Sequence, residues 1–534
     1  MNPDPVVILS YARTPMGSFQ GSLSGASAVD LGATAVKAAV ERAGVDPADV
    51  ERCYMGCVLP AGLGQAPARQ AARFAGLGDH VEATTVNKMC GSGMMAAMMA
   101  ADAIAAGSSD IIVAGGMESM SNAPYLSKKH RAGARIGHDT VYDHMMLDGL
   151  EDAYEPGRAM GTFAEDTACE YQLTREAQDD YAIESLTRAQ KAQQSGAFDG
   201  EIVAVQVKTR KGVDTVDKDE QPLKGDPSKI PGLRPAFSKD GTITAANASS
   251  ISDGAAALVL ARASVAEAKG LKPVARIVAH TAHARLPAHF TTAPIGAIER
   301  LLEKTGWSVG EVDLFEINEA FACVTMFAMK DLGIPRDKVN IHGGATAMGH
   351  PIGASGARIL ATLIAALQRI GGKRGIASLC IGGGEATVEW RAGEGEPFLT
   401  RKYSRAHALK FDGGAVVRGS ASPQIVREPM SDPAGVDPEE ALVAALASCH
   451  MLFFLDLASR AGLDVVSYAD RATGEMGKRD DGREAMVKAT LHPRIEFAGD
   501  ADPAKVAELH HRSHELCYIA NSVNFPVSVE PVDG

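Results

Sequence analysis

The chain has 534 residues, a formal net charge of −13, 55 glycines and only 5% aromatic residues. That length exceeds one ordinary domain and leaves ample material for a core, while the acidic balance argues against general affinity for nucleic acid or anionic membranes. Eight scattered cysteines lack the density of a disulfide scaffold, Met1-Asn2-Pro3-Asp4-Pro5 lacks the look of a signal peptide, and no apolar run reads as long enough to span a bilayer; a reduced, cytoplasmic protein is expected.

Val6-Val7-Ile8-Leu9 reads as a strand, followed by a helix from about Ala28 to Ala43 that Gly44 closes. Cys53 to Leu59 reads as a second strand; Cys53 and Cys57 are spaced like half of a zinc site, but no matching pair follows, so no metal is expected. Val81 to Val86 is β-type and leads into Asn87-Lys88-Met89-Cys90-Gly91-Ser92-Gly93, after which an Ala/Met-rich stretch favours a helix. Cys90 is therefore expected at a helix start, where free N–H groups and the helix dipole stabilise a thiolate, with the flanking glycines leaving room for an incoming acyl group. A lone cysteine is more often buried and inert; the glycines and the helix start favour a nucleophile. Asp110 to Ala114 is a further strand, and the alternation implies a largely parallel, covered sheet.

From Ser119 to about Ser238, polar loops surround one long helix, Arg175 to Gln194, with Thr174 as its N-cap. This stretch reads as an insertion suited to substrate contacts. Gly254 to Leu260 returns to the core as a small-residue strand, and a second α/β pass from Pro273 echoes the first. Val312 to Ile317 matches the second strand, Val339 to Gly344 the approach to Cys90, and Gly375 to Gly384 the strand after it, which indicates a duplicated βα unit with a cleft between its halves. Beyond Gly384 the character changes. Helices are expected from Asp437 through Cys449 to Ala461 and from Pro503 through Leu516, with strands at Ala415 to Ser420, Val487 to Leu491 and Phe525 to Val529.

Three further stretches join Cys90 at corresponding strand ends, where ligand sites gather in open α/β sheets: Asn318-Glu319-Ala320-Phe321, Gly349-His350-Pro351, and Cys380-Ile381-Gly382-Gly383-Gly384. Neither a Walker lysine nor an early G-x-G-x-x-G accompanies them, which disfavours nucleotide binding. With these signatures, residues 1 to about 390 resemble a thiolase of the acetyl-CoA acetyltransferase type. The resemblance implies a duplicated thiolase fold of layered helices and mixed sheets, its N-terminal half at 1–118 and 239–272, a loop insertion at 119–238 and a C-terminal half at 273–390. It implies Cys90 as the acylated nucleophile, His350 as its base and Cys380 as the acid/base at the α-carbon. Asn318 with His350 would form one oxyanion hole, through a water, and the N–H groups of Cys90 and Gly382 the other. Ser249 would contact the pantetheine arm, and Met160 lies near the acyl pocket, where Ala159 replaces a histidine of some short-chain enzymes. For the phosphate end of coenzyme A, the choice among Lys208, Arg210, Lys211, Lys224 and Lys229 stays open. Acyl-CoA and coenzyme A are substrates, no separate cofactor is implied, and a homodimer or homotetramer is expected. The contrasting reading is a non-catalytic acyl-CoA-binding protein with a structural C-terminal domain.

Pro438-Glu439-Glu440, Ala447-Ser448-Cys449-His450 and His514-Glu515-Leu516-Cys517 resemble the OsmC/Ohr family, assigning 391–534 to an α+β domain. The resemblance implies that Cys449 attacks an organic hydroperoxide, that Cys517 resolves the sulfenic acid and that a dithiol reductant regenerates the pair. Glu439 and Arg405 would poise the thiolate. Glu385 to Trp390 could serve either as the last strand of the first domain or as the first strand of the second, and one strand cannot easily occupy two sheets.

Overall fold

The computed structural model describes residues 4–133, 135–210, 212–382, 387–389, 407–410, 416–422, 426–428, 430–479 and 482–532. By internal contacts the chain divides into two units, Met1–Glu385 and Ala386–Gly534.

The first half of the first unit comprises β1 (Val6–Arg13), α1 (Ala28–Ala43), β2 (Arg52–Gly56), α2 (Pro67–Phe74), β3 (Glu82–Val86), α3 (Ser92–Ala105) and β4 (Ile111–Ser119). After α4 (Met160–Glu170) and α5 (Arg175–Gln194) the chain returns as β5 (Ser252–Arg262). The second half holds α6 (Ala293–Thr305), β6 (Leu314–Ile317), α7 (Ala322–Leu332), α8 (Ile352–Ile370) and β7 (Gly375–Ser378). Local chemistry sets several ends. Ser27 and Asp30 form a capping box on α1, Gly44 closes it in the left-handed region, and the Thr174 hydroxyl caps α5.

Seven strands form the main sheet, in the order Ala275–Arg276, β1, β5, β4, β2, β3, with Gly17–Ser18 added on β5. The expectation of a largely parallel sheet is corrected: β5 runs antiparallel to both β1 and β4, and only β3, β2 and β4 run parallel. Composition reports that a strand is buried on both faces, not which way it runs. The period of two sorts those faces. Val7, Leu9, Ala255, Ala257, Val259 and Val113 pack with α1 and α2, whereas Val6, Ile8, Ala256, Leu258, Leu260 and Ile112 pack with α3 and α8.

A second, two-stranded sheet pairs β6 with β7 in parallel, and Val339 adds a parallel bridge to Phe315. The β3–β2–β4 arrangement thus recurs in shortened form. Val339 to Gly344 does not extend into a strand, because Asn340 turns the chain at φ 45 and its carboxamide takes the ladder positions on Ile317, accepting from N at 2.9 Å and donating to O at 2.8 Å. Leu314 packs on Leu363 and Ala366 of α8, while Phe315 and Ile317 pack against α6 and α7. Helix α8 is therefore clamped between two sheets, in a five-layer α/β/α/β/α stack.

The second unit contains β8 (Thr387–Glu389), β9 (His407–Lys410), β10 (Val416–Gly419), α9 (Pro438–Arg460), β11 (Val465–Asp470), β12 (Thr473–Lys478), β13 (Glu484–Leu491), β14 (Pro493–Phe497), α10 (Pro503–Leu516) and β15 (Val527–Val529). Within the disputed stretch Glu385 to Trp390, β8 pairs antiparallel with β9 in this unit. Strands β9, β11, β12 and β14 had no forecast. Thr473–Lys478 is mostly exposed and carries no apolar alternation, so pairing with β13 rather than its own pattern makes it a strand. Asp437 and Glu440 form a capping box on α9, whose Leu446, Phe454 and Leu457 are buried. Contrary to expectation, α9 is long and apolar enough to cross a bilayer by length and composition, a property that core helices of soluble proteins share.

Candidate active site

Helices α3 and α8 lie against each other through their first turns. A β-carbon on Gly93 would stand 2.8 Å from the Ala357 nitrogen and 3.0 Å from the Gly353 oxygen, and one on Gly356 would strike the Met94 backbone. Glycine at these positions permits a close approach that any side chain would prevent. Cys90 and His350 each stand two residues before one of these helices, so the helix contact fixes the relation of their loops.

The Cys90 loop is strained and tied. Met89 sits at φ 47, a left-handed conformation that costs a non-glycine residue about 1–3 kcal/mol. Asn87 Oδ1 accepts from the Met89 nitrogen at 3.0 Å, and the Ser92 hydroxyl accepts from the Lys88 nitrogen at 2.8 Å while donating to the Met89 oxygen at 2.6 Å. Cys90 is half-buried and packs against the cluster that includes Leu59, Met120 and Ile352. Burial pushes it up to about 11, opposed by the backbone N–H groups of Cys90 and Gly382, which bear on the sulfur. This corrects the expected thiolate. Cys90 precedes the first turn of α3, and the lost hydration of an anion outweighs the N–H donors.

Cys380, at the end of β7, is fully buried, and burial together with the Cys90 charge raises its thiol well above the ordinary range. Gly382 also adjoins Met160, whose methyl group would lie 3.4 Å from a β-carbon there. Cys90, Cys380, Gly382 and Met160 therefore converge.

His350 is 7% exposed; burial, with the nearby Arg358 cation, lowers it to about 3, so its ring is neutral at physiological pH. Its tautomer follows from its partners. The Ser355 hydroxyl donates to the Pro351 carbonyl at 2.8 Å, so the 2.5 Å contact between Ser355 Oγ and His350 Nδ1 is donated by the ring. Nε2 keeps its lone pair and meets Asn318 Nδ2 at 3.5 Å. Asn318 in turn is flanked by Glu319, a buried carboxylate that accepts from Tyr181, Ser185, Asn340 and Thr346. A second buried carboxylate, Glu118 at the end of β4, accepts from the nitrogens of Val58 (2.9 Å), Leu59 (3.1 Å) and Gly353 (2.9 Å). It ties the wall of the Cys90 pocket to the first turn of α8, and burial raises it to about 7.

Ser355, Arg358 and Glu118 had no forecast. Ser355, Arg358 and Thr362 recur at helical spacing on one face of the largely apolar α8, a pattern that marks them as buried polar groups but not what they do.

The Ser249 nitrogen donates to the Ala320 oxygen at 2.9 Å and the His350 nitrogen to the Ser250 oxygen at 3.1 Å, which seats this strap between the Asn318 and His350 loops. A cavity of about 220 Å³ opens beside it, lined by Ser250, Thr346, Leu186, Gln221, Lys224 and Lys229 among others. Ser250 rather than Ser249 faces that cavity. Lys208 and Arg210 are exposed and do not line it, and Lys211 lies outside the described residues.

In the second unit, Cys449 on α9 and Cys517 at the end of α10 bring their thiols into hydrogen-bonding contact, and burial, with Cys449 alongside, raises Cys517 to about 11. The Ala520 nitrogen donates to Cys517 Sγ at 3.4 Å. Glu439 is not at Cys449: ten residues separate them along one helix, a rise of about 15 Å, beyond a carboxylate's reach within the chain. Arg405 lies outside the described residues. Among the described residues no cluster of three or more His, Cys, Asp or Glu is arranged to hold a metal.

Residues 6–264 match the family described as thiolase, N-terminal domain, residues 271–389 thiolase, C-terminal domain, and residues 431–532 OsmC-like protein. Acetyl-CoA acetyltransferase 2 of Arabidopsis thaliana is 51% identical over 391 residues, covering 73% of this chain and 97% of the relative. Acetyl-CoA acetyltransferase of Escherichia coli (strain K12) is 51% identical over 381 residues, 71% of this chain and 96% of the relative. The cytosolic acetyl-CoA acetyltransferase of Mus musculus is 49% identical over 384 residues, again 71% and 96%.

Proposed function

The chain belongs to the thiolase family and carries an OsmC-like domain after it, and from that premise we propose that it is an acetyl-CoA C-acetyltransferase, joining two acetyl-CoA molecules or cleaving acetoacetyl-CoA with coenzyme A. The observation that carries this reading is the meeting of two thiols, Cys90 and Cys380, with the Gly382 N–H bearing on the Cys90 sulfur.

A neutral thiol cannot attack a thioester well, so the Cys90 proton passes to the free Nε2 of His350 as the carbon–sulfur bond forms. Oxygen becomes anionic and is met by N–H donors fixed before the reaction. Collapse leaves S-acetyl-Cys90 as the Cys380 thiol gives its proton to the departing coenzyme A sulfur, while His350 keeps the Cys90 proton on Nε2. The Cys380 thiolate so formed takes an α-proton from a second acetyl-CoA, and the carbanion attacks the acetyl carbonyl. Expulsion of the Cys90 sulfur, which recovers its proton from His350, yields acetoacetyl-CoA and restores the starting state. Asn318, with a bound water and His350, serves one of the two oxyanions, and the N–H groups of Cys90 and Gly382 serve the other. Met160 bounds the acyl pocket. The cavity beside Ser250 supports Lys224 and Lys229 as the cations for the phosphate end of coenzyme A, although each already has an acidic neighbour, Glu220 and Asp226. A cytoplasmic homodimer or homotetramer fits this reading, and the Mus musculus relative is named as cytosolic.

For the second unit, the contact of Cys449 with Cys517 favours an additional dithiol peroxidase. Cys449 attacks the peroxide, releasing an alcohol and becoming a sulfenic acid. Cys517 displaces water to form the disulfide, and a dithiol reduces it.

Acetoacetyl-CoA and coenzyme A, mixed with the full chain, should lose the enolate absorbance. Cys380→Ala should still acetylate Cys90 from acetyl-CoA yet lose condensation; condensation at the parental rate would remove Cys380 from the mechanism.

A further inference from the structure

We propose that Arg358 is a positioning residue of the acyl-transfer site: its guanidinium sets the direction of the Asn318 carboxamide, so that the amide presents N–H groups toward His350 and the substrate. The inference rests on the roles of Asn318 and His350 given above.

Arg358 lies on α8, two turns beyond His350, and is 1% exposed. Its Nη2 donates to Asn318 Oδ1 at 3.4 Å, and its Nη1 stands 3.6 Å from the Glu316 carboxylate. A guanidinium donates and never accepts, so the amide atom facing it has to be the oxygen. Asn318 Nδ2 is thereby turned to His350 Nε2. At the other end of this chain of contacts, the Pro351 carbonyl only accepts; it directs the Ser355 hydroxyl, which receives the Nδ1 proton of His350. Two end groups with one hydrogen-bonding sense each, Arg358 and the Pro351 carbonyl, thus determine the amide direction and the imidazole tautomer between them. Were the amide reversed, its oxygen would face the Nε2 lone pair and the site would lose a donor where negative charge develops.

Glu316 supplies the anchor. It sits on β6, two residues before Asn318, and its carboxyl, which burial raises to about 8 against the opposing Arg358 charge, stands beside the guanidinium at the strand end. The same cation disfavours protonation of His350, which keeps the base free. Lysine cannot substitute, since one flexible ammonium lacks the planar fork that addresses Glu316 and Asn318 together.

The test is a double-mutant cycle on the full chain, read by acetoacetyl-CoA thiolysis. Arg358→Lys should lower kcat by about 10- to 100-fold and change KM by less than about threefold. In an Asn318→Ala background the same substitution should cost less than about threefold, because the amide it orients is gone. Equal losses in both backgrounds overturn the proposal and leave the roles of Asn318 and His350 standing. Unchanged kcat in Asn318→Ala alone overturns those roles and this inference with them. Should Arg358→Lys fail to fold, Glu316→Gln, which keeps the guanidinium, takes its place in the cycle. It should cost about three- to tenfold in the parental background and nothing further in Asn318→Ala, and equal losses again overturn the proposal.

Discussion

Cys90 and His350 are both held neutral by burial, which on the proposed mechanism decides how the nucleophile is activated. A thiol at about 11 and an imidazole at about 3 are the reverse of a preformed thiolate and imidazolium. Proton transfer must accompany attack on the thioester. Alkylation of Cys90 by iodoacetamide should therefore be slow at pH 7 and climb steadily toward pH 10, with no inflection below pH 7. A plateau of reactivity beginning near pH 6, followed by rate against pH, would contradict the neutral pair. Ser355→Ala removes the group that receives the Nδ1 proton; kcat for thiolysis should fall by about 10- to 100-fold while KM stays within about threefold. Cys90, Asn318, His350 and Cys380 could be singled out in the sequence because each sits in a short motif at the end of an element, all but Asn318 within two residues of a glycine. Ser355 and Arg358 were not, because a serine in a run of small residues and an arginine within a helix have commonplace structural explanations. Their meaning appears only when α8 is seen to be buried between two sheets.

At the scale of elements, the site depends on backbone contact between α3 and α8. Gly356→Ala would place a methyl group against the Met94 backbone of α3. Neither helix can retreat, since each is packed against a sheet, so the substitution should destabilise by about 1–3 kcal/mol. It should also lower kcat by about 100-fold, the order expected when catalytic groups are displaced by about 1 Å. Thermal melting and steady-state kinetics on the same preparation check both, and parental values in both would disprove the contact argument. Helices α1, α5, α9 and α10 were readable from their capping residues and apolar spacing. The direction of β5 was not, because a strand of Ala, Gly, Leu and Val buried on both faces has the same pattern whichever way it runs. Helix α4 was missed for a similar reason: Met160–Glu170 has no side-chain cap at its start and lies in a stretch whose polar loops dominate the pattern.

For the whole molecule, buried histidines in both units set an acid limit. His283 and His342 are lowered to about 4 and His350 to about 3 in the first unit, and His450 and His510 to about 4 in the second, in each case chiefly by burial. A lowered folded-state value means that the unfolded chain binds more protons between about 3 and 6.5, so this stability is complete above about pH 6.5 and is lost as pH falls. Melting temperature should drop between pH 6.5 and pH 4.5; a flat profile would contradict the neutral burial. On the proposed reading, the dithiol of the second unit works by its own chemistry, independent of acyl transfer. Cys517→Ser should stall hydroperoxide reduction at a Cys449 sulfenic acid and leave thiolysis unchanged, as peptide mapping and kinetics would reveal. The central claim is that Cys90 carries the acyl group. Its most direct measurement is peptide mass spectrometry of the full chain after incubation with acetyl-CoA alone. A single acetyl thioester on Cys90, absent from Cys90→Ala and retained by Cys380→Ala, is the predicted result; stoichiometric acetylation persisting in Cys90→Ala would contradict it.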